Sequence, residues 1–259
     1  MASTFIHPMA LVEKGAELDE GVYVGPFSTI AATAKIGART RLESHIVIDA
    51  NVSMGVDNVV YPFSMIGAPP QDLSYKGDDT RVEIGDHNVF RESTTIHRGT
   101  VRDKSVTRVG SHNYIMAFCH IAHDCQIGSN IIMANQTALA GHVQIFDYAN
   151  IGGQSAICQK VRIGERSFVG AGSVVRKDLP PFMAAKEFAQ VTGPNLIGLK
   201  RQSLGEENIR VICEMYKILY LSNSRTEKAL ADIRERFVDN PYAERFVKFL
   251  ESTEIGIQR

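Results

Sequence analysis

The sequence predicts a mainly β chain, a parallel β-helix of hexapeptide repeats followed by a small C-terminal α-helical domain. Three observations carry this. From Val109 to Val175 an aliphatic residue or Met stands at every sixth position, through Ile115, Ile121, Ile127, Met133, Leu139, Ile145, Ile151, Ile157, Ile163 and Val169. A second series runs Ile6, Val12, Leu18, Val24, Ile30, Ile36, Leu42, Ile48, Met54, Val60 and Ile66, and Ile84, Phe90 and Ile96 extend it after a break. Six is a multiple of the strand period of two and of no simple multiple of 3.6, so these sites make one wall of short strands. Finally, the positions around each aliphatic site suit tight corners, and hexapeptides of this kind signal a parallel β-helix.

The elements follow in order along residues 1–190. Position +4 from each aliphatic site shares its parity and points inward where space is small; Ala10, Ala16, Ser28, Ala34, Thr40, Cys119, Cys125, Thr137 and Ala149 occupy it. Position +1 is Gly in ten repeats, among them Gly25, Gly37, Gly55, Gly110, Gly128, Gly152 and Gly164, which is expected where the chain turns through positive φ. Three hexapeptides close one triangular coil of 18 residues, and coils stack at about 4.8 Å. No coil is stable alone, so stability comes from stacking.

Two stretches break the rhythm, Ala68 to Arg81 and Arg102 to Arg108. The first, with Pro69, Pro70, Gln71, Asp72, Lys76, Gly77, Asp78 and Asp79, reads as a protruding polar loop near 68–81. Departures from a strict repeat are where function is expected. The repeat stops at Pro180 and Pro181, the pattern turns to helical periodicity near residue 203, and residues 191–259 are expected to form the α-helical domain. Ser203 with Glu206 and Ser224 with Glu227 have capping-box spacing, and Asn240 precedes Pro241. Three helices are expected, at about 204–222, 225–237 and 241–252, the first packing through Ile209, Ile212, Met215, Tyr216 and Leu219.

Composition sets the bounds. The chain has 259 residues and a formal net charge of −1, so it has no general electrostatic pull on nucleic acid or anionic membrane. No basic leader precedes an apolar run and no segment approaches 18 uninterrupted apolar residues; stable membrane insertion is not expected, and a cytoplasmic location is the default. The four cysteines lack CxxC spacing and read as reduced packing residues.

Histidine is the other departure, because five of eight fall between His97 and His142. The 18-residue coil stacks His123 on Gly141 and Gln159, Asp124 beside His142, and His120 beside Ala138. An imidazole held by an adjacent carboxylate is a general base suited to neutral pH, and a backbone N–H with no side chain in the way stabilises an oxyanion. His123, Asp124 and Gly141 meet that description. No Ser or Cys nucleophile with its own base stands at the cluster, since Cys119 and Cys125 are in the inward phase. Direct attack by a substrate hydroxyl is therefore expected, and the reaction class is acyl transfer.

Five strings carry a resemblance: Ile96-His97-Arg98-Gly99-Thr100, His120-Ile121-Ala122-His123-Asp124-Cys125, Leu139-Ala140-Gly141-His142, Gln71-Asp72-Leu73, and Asn195-Leu196-Ile197-Gly198-Leu199-Lys200-Arg201. Over nearly the whole chain the sequence resembles the bacterial UDP-N-acetylglucosamine O-acyltransferases that open lipid A biosynthesis. The resemblance implies a left-handed parallel β-helix and a homotrimer with sites between subunits. It implies an acyl or 3-hydroxyacyl donor on acyl carrier protein and the 3-hydroxyl of UDP-N-acetylglucosamine as acceptor, with no metal and no cofactor. By the family pattern His123 is the base, Asp124 orients it and the Gly141 N–H supports the oxyanion. Gln71, Asp72, Lys76, His97, His120 and His142 match positions that contact sugar, phosphates or donor; Gln159, Asn195 and Arg201 match positions around the acyl or nucleotide part. Ala171 and Phe188 are the candidates for a floor that sets a medium acyl length.

Other readings of the same residues stay open. Lys200 and Arg201 also read as a solvated pair, Lys76 has the same ambiguity, and Asn195 also reads as ending a turn after Pro194. Family members commonly carry a His where this chain has Cys158, and a Glu and a second Arg where it has Ile197 and Gln202, which puts nucleotide contacts in question. The rival functions are a sister N-acyltransferase, a zinc enzyme using His97, His120 and His142, a relative with a 3-amino acceptor, and a non-catalytic trimeric paralogue. The first is disfavoured because it carries a separate N-terminal uridine-binding domain, whereas repeats here begin at Ile6.

Overall fold

The computed structural model describes residues 3–186 and 188–259. Short strands, from Phe5–Ile6 to Val174–Val175, lie on three flat faces in strict rotation, and each pairs in parallel with the strand one coil away. Phe5 faces Tyr23, Tyr23 faces Arg41, and His120 faces Ala138. The faces enclose a triangular prism, a left-handed parallel β-helix. After the last regular strand, Met183–Lys186 joins the first face and Gln190–Pro194 folds back antiparallel on it.

The aliphatic series fills the prism. Of its members only Ile6, Val12 and Leu18, in the first coil, are not buried, because no coil lies beneath them. The inward +4 sites do more than fit small spaces. Ser28 Oγ donates to Glu43 O and accepts from Ile46 N, and Thr40 repeats this with Gly55 O and Asn58 N, so these hydroxyls tie one coil to the next. Asn58, Asn88 and Asn113 extend the pattern as a buried ladder, each amide oxygen accepting from the backbone N–H one coil on.

The corner glycines correct the expectation. Positive φ falls at +3, not +1, and is taken by residues as varied as Phe27, Arg39, His45, Asp57, Asp124 and His142. Glycine at +1 answers a close approach instead: a Cβ on Gly25 would stand 2.8 Å from the Glu43 carbonyl carbon, and one on Gly37 2.6 Å from that of Gly55. Among the +1 glycines only Gly67 combines this with positive φ.

The two rhythm breaks are insertions at one corner. The coil offset of 18 residues grows to 30 across the first and 25 across the second. The first holds an irregular loop between strands Met65–Ala68 and Arg81–Ile84. Arg98 pins it, stacking 5.9 Å over the Tyr75 ring and donating to its hydroxyl.

Four helices follow where three were expected: α1 (Leu196–Arg201), α2 (Glu206–Tyr216), α3 (Thr226–Arg236) and α4 (Pro241–Glu251). A π-helical turn, Lys217–Leu221, continues α2. The expected capping boxes do not form. Gly205 and Arg225 occupy the N-caps without side-chain bonds, and Ser203 is turned away at φ 56°. Asn240 does cap α4, accepting from Tyr242 N and Ala243 N. Ile212, Met215 and Leu219 are buried, as their spacing required. Arg162, paired with buried Asp178, donates to Phe249 O and Ser252 Oγ, and together with the Phe146–Phe249 contact at 5.7 Å this locks α4 to the last coils. No described helix is long and apolar enough to cross a membrane.

Candidate active site

The strand His120–Ile121 delivers the chain to a corner at which His123 leaves the prism and Asp124 turns back under it. His142 N donates to His123 O at 3.0 Å and Lys160 N to Gly141 O at 3.1 Å, which stacks 123, 141 and 159 in one column. Gly141 is required here. A Cβ on it would stand 2.5 Å from His123 Cε1 and 2.6 Å from Nε2, so the imidazole lies flat against the missing side chain. The Gly141 N–H has no hydrogen-bond partner among the described residues.

Asp124 is buried and its carboxylate is fully engaged. Thr100 N donates to both oxygens, at 2.9 and 3.1 Å, Thr100 Oγ1 donates at 2.7 Å, and His123 Nδ1 lies at 2.9 Å. Burial alone would raise its pKa, but the bonds from His123 and Thr100 together hold it below the ordinary carboxylate range. With Nδ1–H committed to Asp124, His123 turns the lone pair of Nε2 outward. Gly99 makes room for this, because a Cβ there would meet Val106 N at 2.3 Å and Asp124 Oδ1 at 2.8 Å.

A second imidazole–carboxylate pair stands alongside. His142 Nδ1 lies 2.8 Å from Asp103 Oδ2, and the His142 ring meets that of His123 edge-on at 5.1 Å. His97 and His120 form another T-shaped pair at 4.9 Å. Burial, with the neighbouring imidazoles, pushes His97 down to about 4 and lowers His120 as well, so both are neutral at neutral pH. His120 Nδ1 is 2.8 Å from Thr95 Oγ1, whereas His97 Nδ1 is buried without a partner.

A cavity of about 530 Å³ opens over this column, lined by Gln71, Asp72, His123, His142 and Gln159 together with Leu73, Thr100, Arg102 and Lys160. The protruding loop thus reaches the stacked column. Asp72 accepts from Ser74 Oγ and Ser74 N, which hold it below its usual range. Lys76, His97, His120, Asn195, Arg201, Ala171 and Phe188 do not line this cavity. Asn195 is the N-cap of α1, accepting from Gly198 N and donating to Arg166 O, and so does not end a turn. Arg201 is exposed in the last turn of that helix, Ala171 is exposed at a corner, and Phe188 is 91% exposed. Gln202 joins α1 to the prism through Arg166 and the Tyr148 carbonyl.

Sequence reasoning missed Thr100, Thr107, Asp103, Arg102 and Lys160. Thr107 Oγ1 accepts from Asp124 N at 2.8 Å. Thr107, Asp103 and Arg102 lie in the second rhythm break, which was the available signal.

The zinc reading does not fit the donor atoms. Among the described residues the group with ligand atoms close enough, within 4.8 Å, is His123, Asp124 and His142, without His97 or His120. Its Asp124 oxygens and both Nδ1 atoms are already committed to Thr100 and to the two imidazole–carboxylate pairs. A cysteine nucleophile is equally disfavoured, since burial pushes the Cys119 thiol up to about 11 and the Cys125 thiol up to about 12.

The chain is similar to known proteins over nearly its full length. Residues 178–258 match the family model for UDP-N-acetylglucosamine O-acyltransferase, domain 2, and residues 107–141 match the bacterial transferase hexapeptide. The solved UDP-N-acetylglucosamine acyltransferase of Francisella novicida is 37% identical, with 98% of this chain and 94% of that one covered at a TM-score of 0.96. LpxA from Acinetobacter baumannii is 37% identical over 98% and 99% of the two chains, at 0.95. The UDP-N-acetylglucosamine O-acyltransferase of Moraxella catarrhalis is 36% identical with the same coverage and TM-score.

Proposed function

The chain belongs to the family of UDP-N-acetylglucosamine O-acyltransferases, and from that premise we propose that it moves an acyl or 3-hydroxyacyl chain from acyl carrier protein to the sugar 3-hydroxyl of UDP-N-acetylglucosamine. The observation that carries this reading is the His123 imidazole lying against Gly141, its Nδ1 on buried Asp124, at a cavity walled by Gln71 and Asp72.

Nε2 of His123 takes the proton of the 3-hydroxyl as the oxygen attacks the thioester carbonyl carbon. The charge that develops on the carbonyl oxygen is met by the Gly141 N–H. Collapse breaks the C–S bond, and the thiolate leaves with the proton held on His123. Asp124 keeps Nδ1–H bonded throughout and stabilises the transient imidazolium. No metal or cofactor is called for.

The working unit is a homotrimer. Outward residues of the third face are polar and ion-paired, as in Lys35–Glu17 and Arg81–Glu83–Arg108. Those of the first two include Phe5, Tyr23, Val59, Tyr114 and Ile132, and Leu11, Val47, Met65, Ala156 and Val174. The two faces meet at a corner of exposed Phe27, Phe63 and Phe118, with His45 between the first two rings at 4.9 and 5.0 Å. Three copies closing about that corner bury both apolar faces at once. Such closure brings a second chain to the cavity, and with it the positions that one chain leaves outside: Lys76, His97, His120, Asn195 and Arg201 for sugar, nucleotide and donor, and Ala171 and Phe188 for acyl length. The reaction runs in the cytoplasm, where its carrier-bound donor is found.

Incubating the protein with UDP-N-acetylglucosamine, its 3-amino analogue and carrier proteins bearing ten-, twelve- and fourteen-carbon acyl chains tests this, with products identified by mass. The expected product is the 3-O-acyl sugar nucleotide; transfer only to the amino analogue, or none, contradicts it. Ala171→Gly is expected to move the preferred donor to a longer chain, and unchanged selectivity removes Ala171 from the acyl floor.

A further inference from the structure

Residues 69–78 carry Gln71 and Asp72 to the catalytic cavity, and among the described residues one hydrogen bond ties them to the rest of the chain, from Arg98 Nε to the Tyr75 hydroxyl at 3.2 Å. Their other bonds are internal. Asp72 accepts from Ser74 N and Ser74 Oγ, Tyr75 N donates to Asp72 O at 3.0 Å, and the Tyr75 hydroxyl donates to Asp78 O. Asp72 to Tyr75 is therefore one closed turn, and whatever holds the Tyr75 hydroxyl also holds the carboxylate three residues before it. Arg98 is anchored for that task. Its guanidinium lies 5.9 Å from the Tyr75 ring centroid, and Nη1 reaches Ala50 O, two coils back, at 3.4 Å. Its backbone N–H donates to Ala68 O at 3.0 Å, where the loop leaves the prism. Two residues on, Thr100 holds Asp124 and through it His123 Nδ1. Arg98 itself does not line the cavity, so its influence on a substrate there runs through Tyr75.

We propose that Arg98 is a positioning residue for the acceptor sugar: by holding Tyr75 it sets Gln71 and Asp72 in the cavity that His123 lines. The inference rests on the acyl-transfer reading, in which the acceptor is bound between that loop and the base. Both bonds from Ser74 fall on Asp72 Oδ1, and Oδ2 has no partner among the described residues, which leaves it to accept from a sugar hydroxyl. A loop braced at one point by a guanidinium keeps that oxygen in register with His123 Nε2. Released from the brace, the same turn has no fixed place, and the acceptor meets a wall that must be ordered at each binding event.

The test compares the wild type with Arg98→Gln, Arg98→Lys, Tyr75→Phe and the double variant of Arg98→Gln with Tyr75→Phe, measuring kcat and both KM values. Arg98→Gln is expected to raise KM for UDP-N-acetylglucosamine about 10-fold and Tyr75→Phe about threefold, with KM for the acylated carrier protein within about twofold of wild type and the loss in KM exceeding any loss in kcat. Arg98→Lys, which keeps a cation over the ring, is expected to fall between Arg98→Gln and wild type. The double variant is expected to be no worse than Arg98→Gln, because both changes break one contact. Should Arg98→Gln fail to fold, Tyr75→Phe reads the same bond, since it removes one hydroxyl and leaves the ring in place. A KM for the sugar nucleotide within about twofold of wild type in both single variants, an equal rise for the donor, a loss confined to kcat, or additive effects in the double variant overturns the proposal. If the wild type turns over no donor, the acyl-transfer reading fails, and cleavage after Lys76 by a lysine-specific protease decides the brace alone: faster cutting in Arg98→Gln and Tyr75→Phe than in wild type supports it, and equal rates overturn it.

Discussion

At the corner between the first and second faces the left-handed residues include Phe27, His45, Phe63 and Phe118; at the corner between the second and third they include Asp124, His142 and Lys160. All seven have φ between 57 and 65°. The backbone is the same, yet one corner is an exposed aromatic ladder and the other a pair of imidazole–carboxylate contacts beside a cavity. What differs is the company each corner keeps. The second rhythm break sets Thr100 and Thr107 around Asp124 and brings Asp103 onto His142, whereas Phe27, Phe63 and Phe118 stay exposed. A repeat that fixes backbone geometry leaves each corner free to specialise, and insertions decide which corner becomes chemical.

Substitutions at the two corners test this division. His123→Ala has the largest expected effect, a fall in turnover of about 10² to 10⁴ with circular dichroism and trimer mass unchanged; a loss under tenfold would mean that another group takes the proton. At the aromatic corner, Phe63→Asp closes an unpaired carboxylate into the proposed trimer interface, at about 3 to 5 kcal/mol. Sedimentation is expected to show dissociation at micromolar concentration, with activity lost alongside; an intact trimer would move the contact elsewhere. Gly141→Ala puts a Cβ 2.5 Å from His123 Cε1 and is expected to cost about 10² in kcat by displacing the base. Asp103→Asn removes the negative charge from a partly exposed pair, in which His142 and Asp103 side chains are 18% and 35% accessible. A two- to fivefold rise in KM for the sugar nucleotide is expected, rescued in part by Asp103→Glu; an unchanged KM would reduce the contact to a surface ion pair.

The fold was legible because every coil repeats the same burial problem, so its period survives in the aliphatic series from Val109 to Val175. The left-handed corner was not, since it makes no consistent demand on side-chain type and tolerates Phe, Arg, His, Asp and Asn alike. Glycine was read as a turn residue when it marks coils packed backbone to backbone. The helices show the other limit: Asn240 with Pro241 gave a true cap, whereas Ser203 and Ser224 had the spacing without the geometry. In the site, His123 and Gly141 followed from the 18-residue offset. Thr100 and Thr107 did not, because the insertion sets them 24 and 17 residues from Asp124, and a wandering offset leaves no arithmetic to follow.

The central claim is that His123 Nε2 meets the attacking alcohol beside the Gly141 amide. A crystal structure of the protein with UDP-N-acetylglucosamine bound tests it most directly. The account predicts the sugar 3-hydroxyl within about 2.6 to 3.2 Å of that nitrogen. A sugar seated with its 3-hydroxyl against a different side chain, and His123 free of it, would contradict the account.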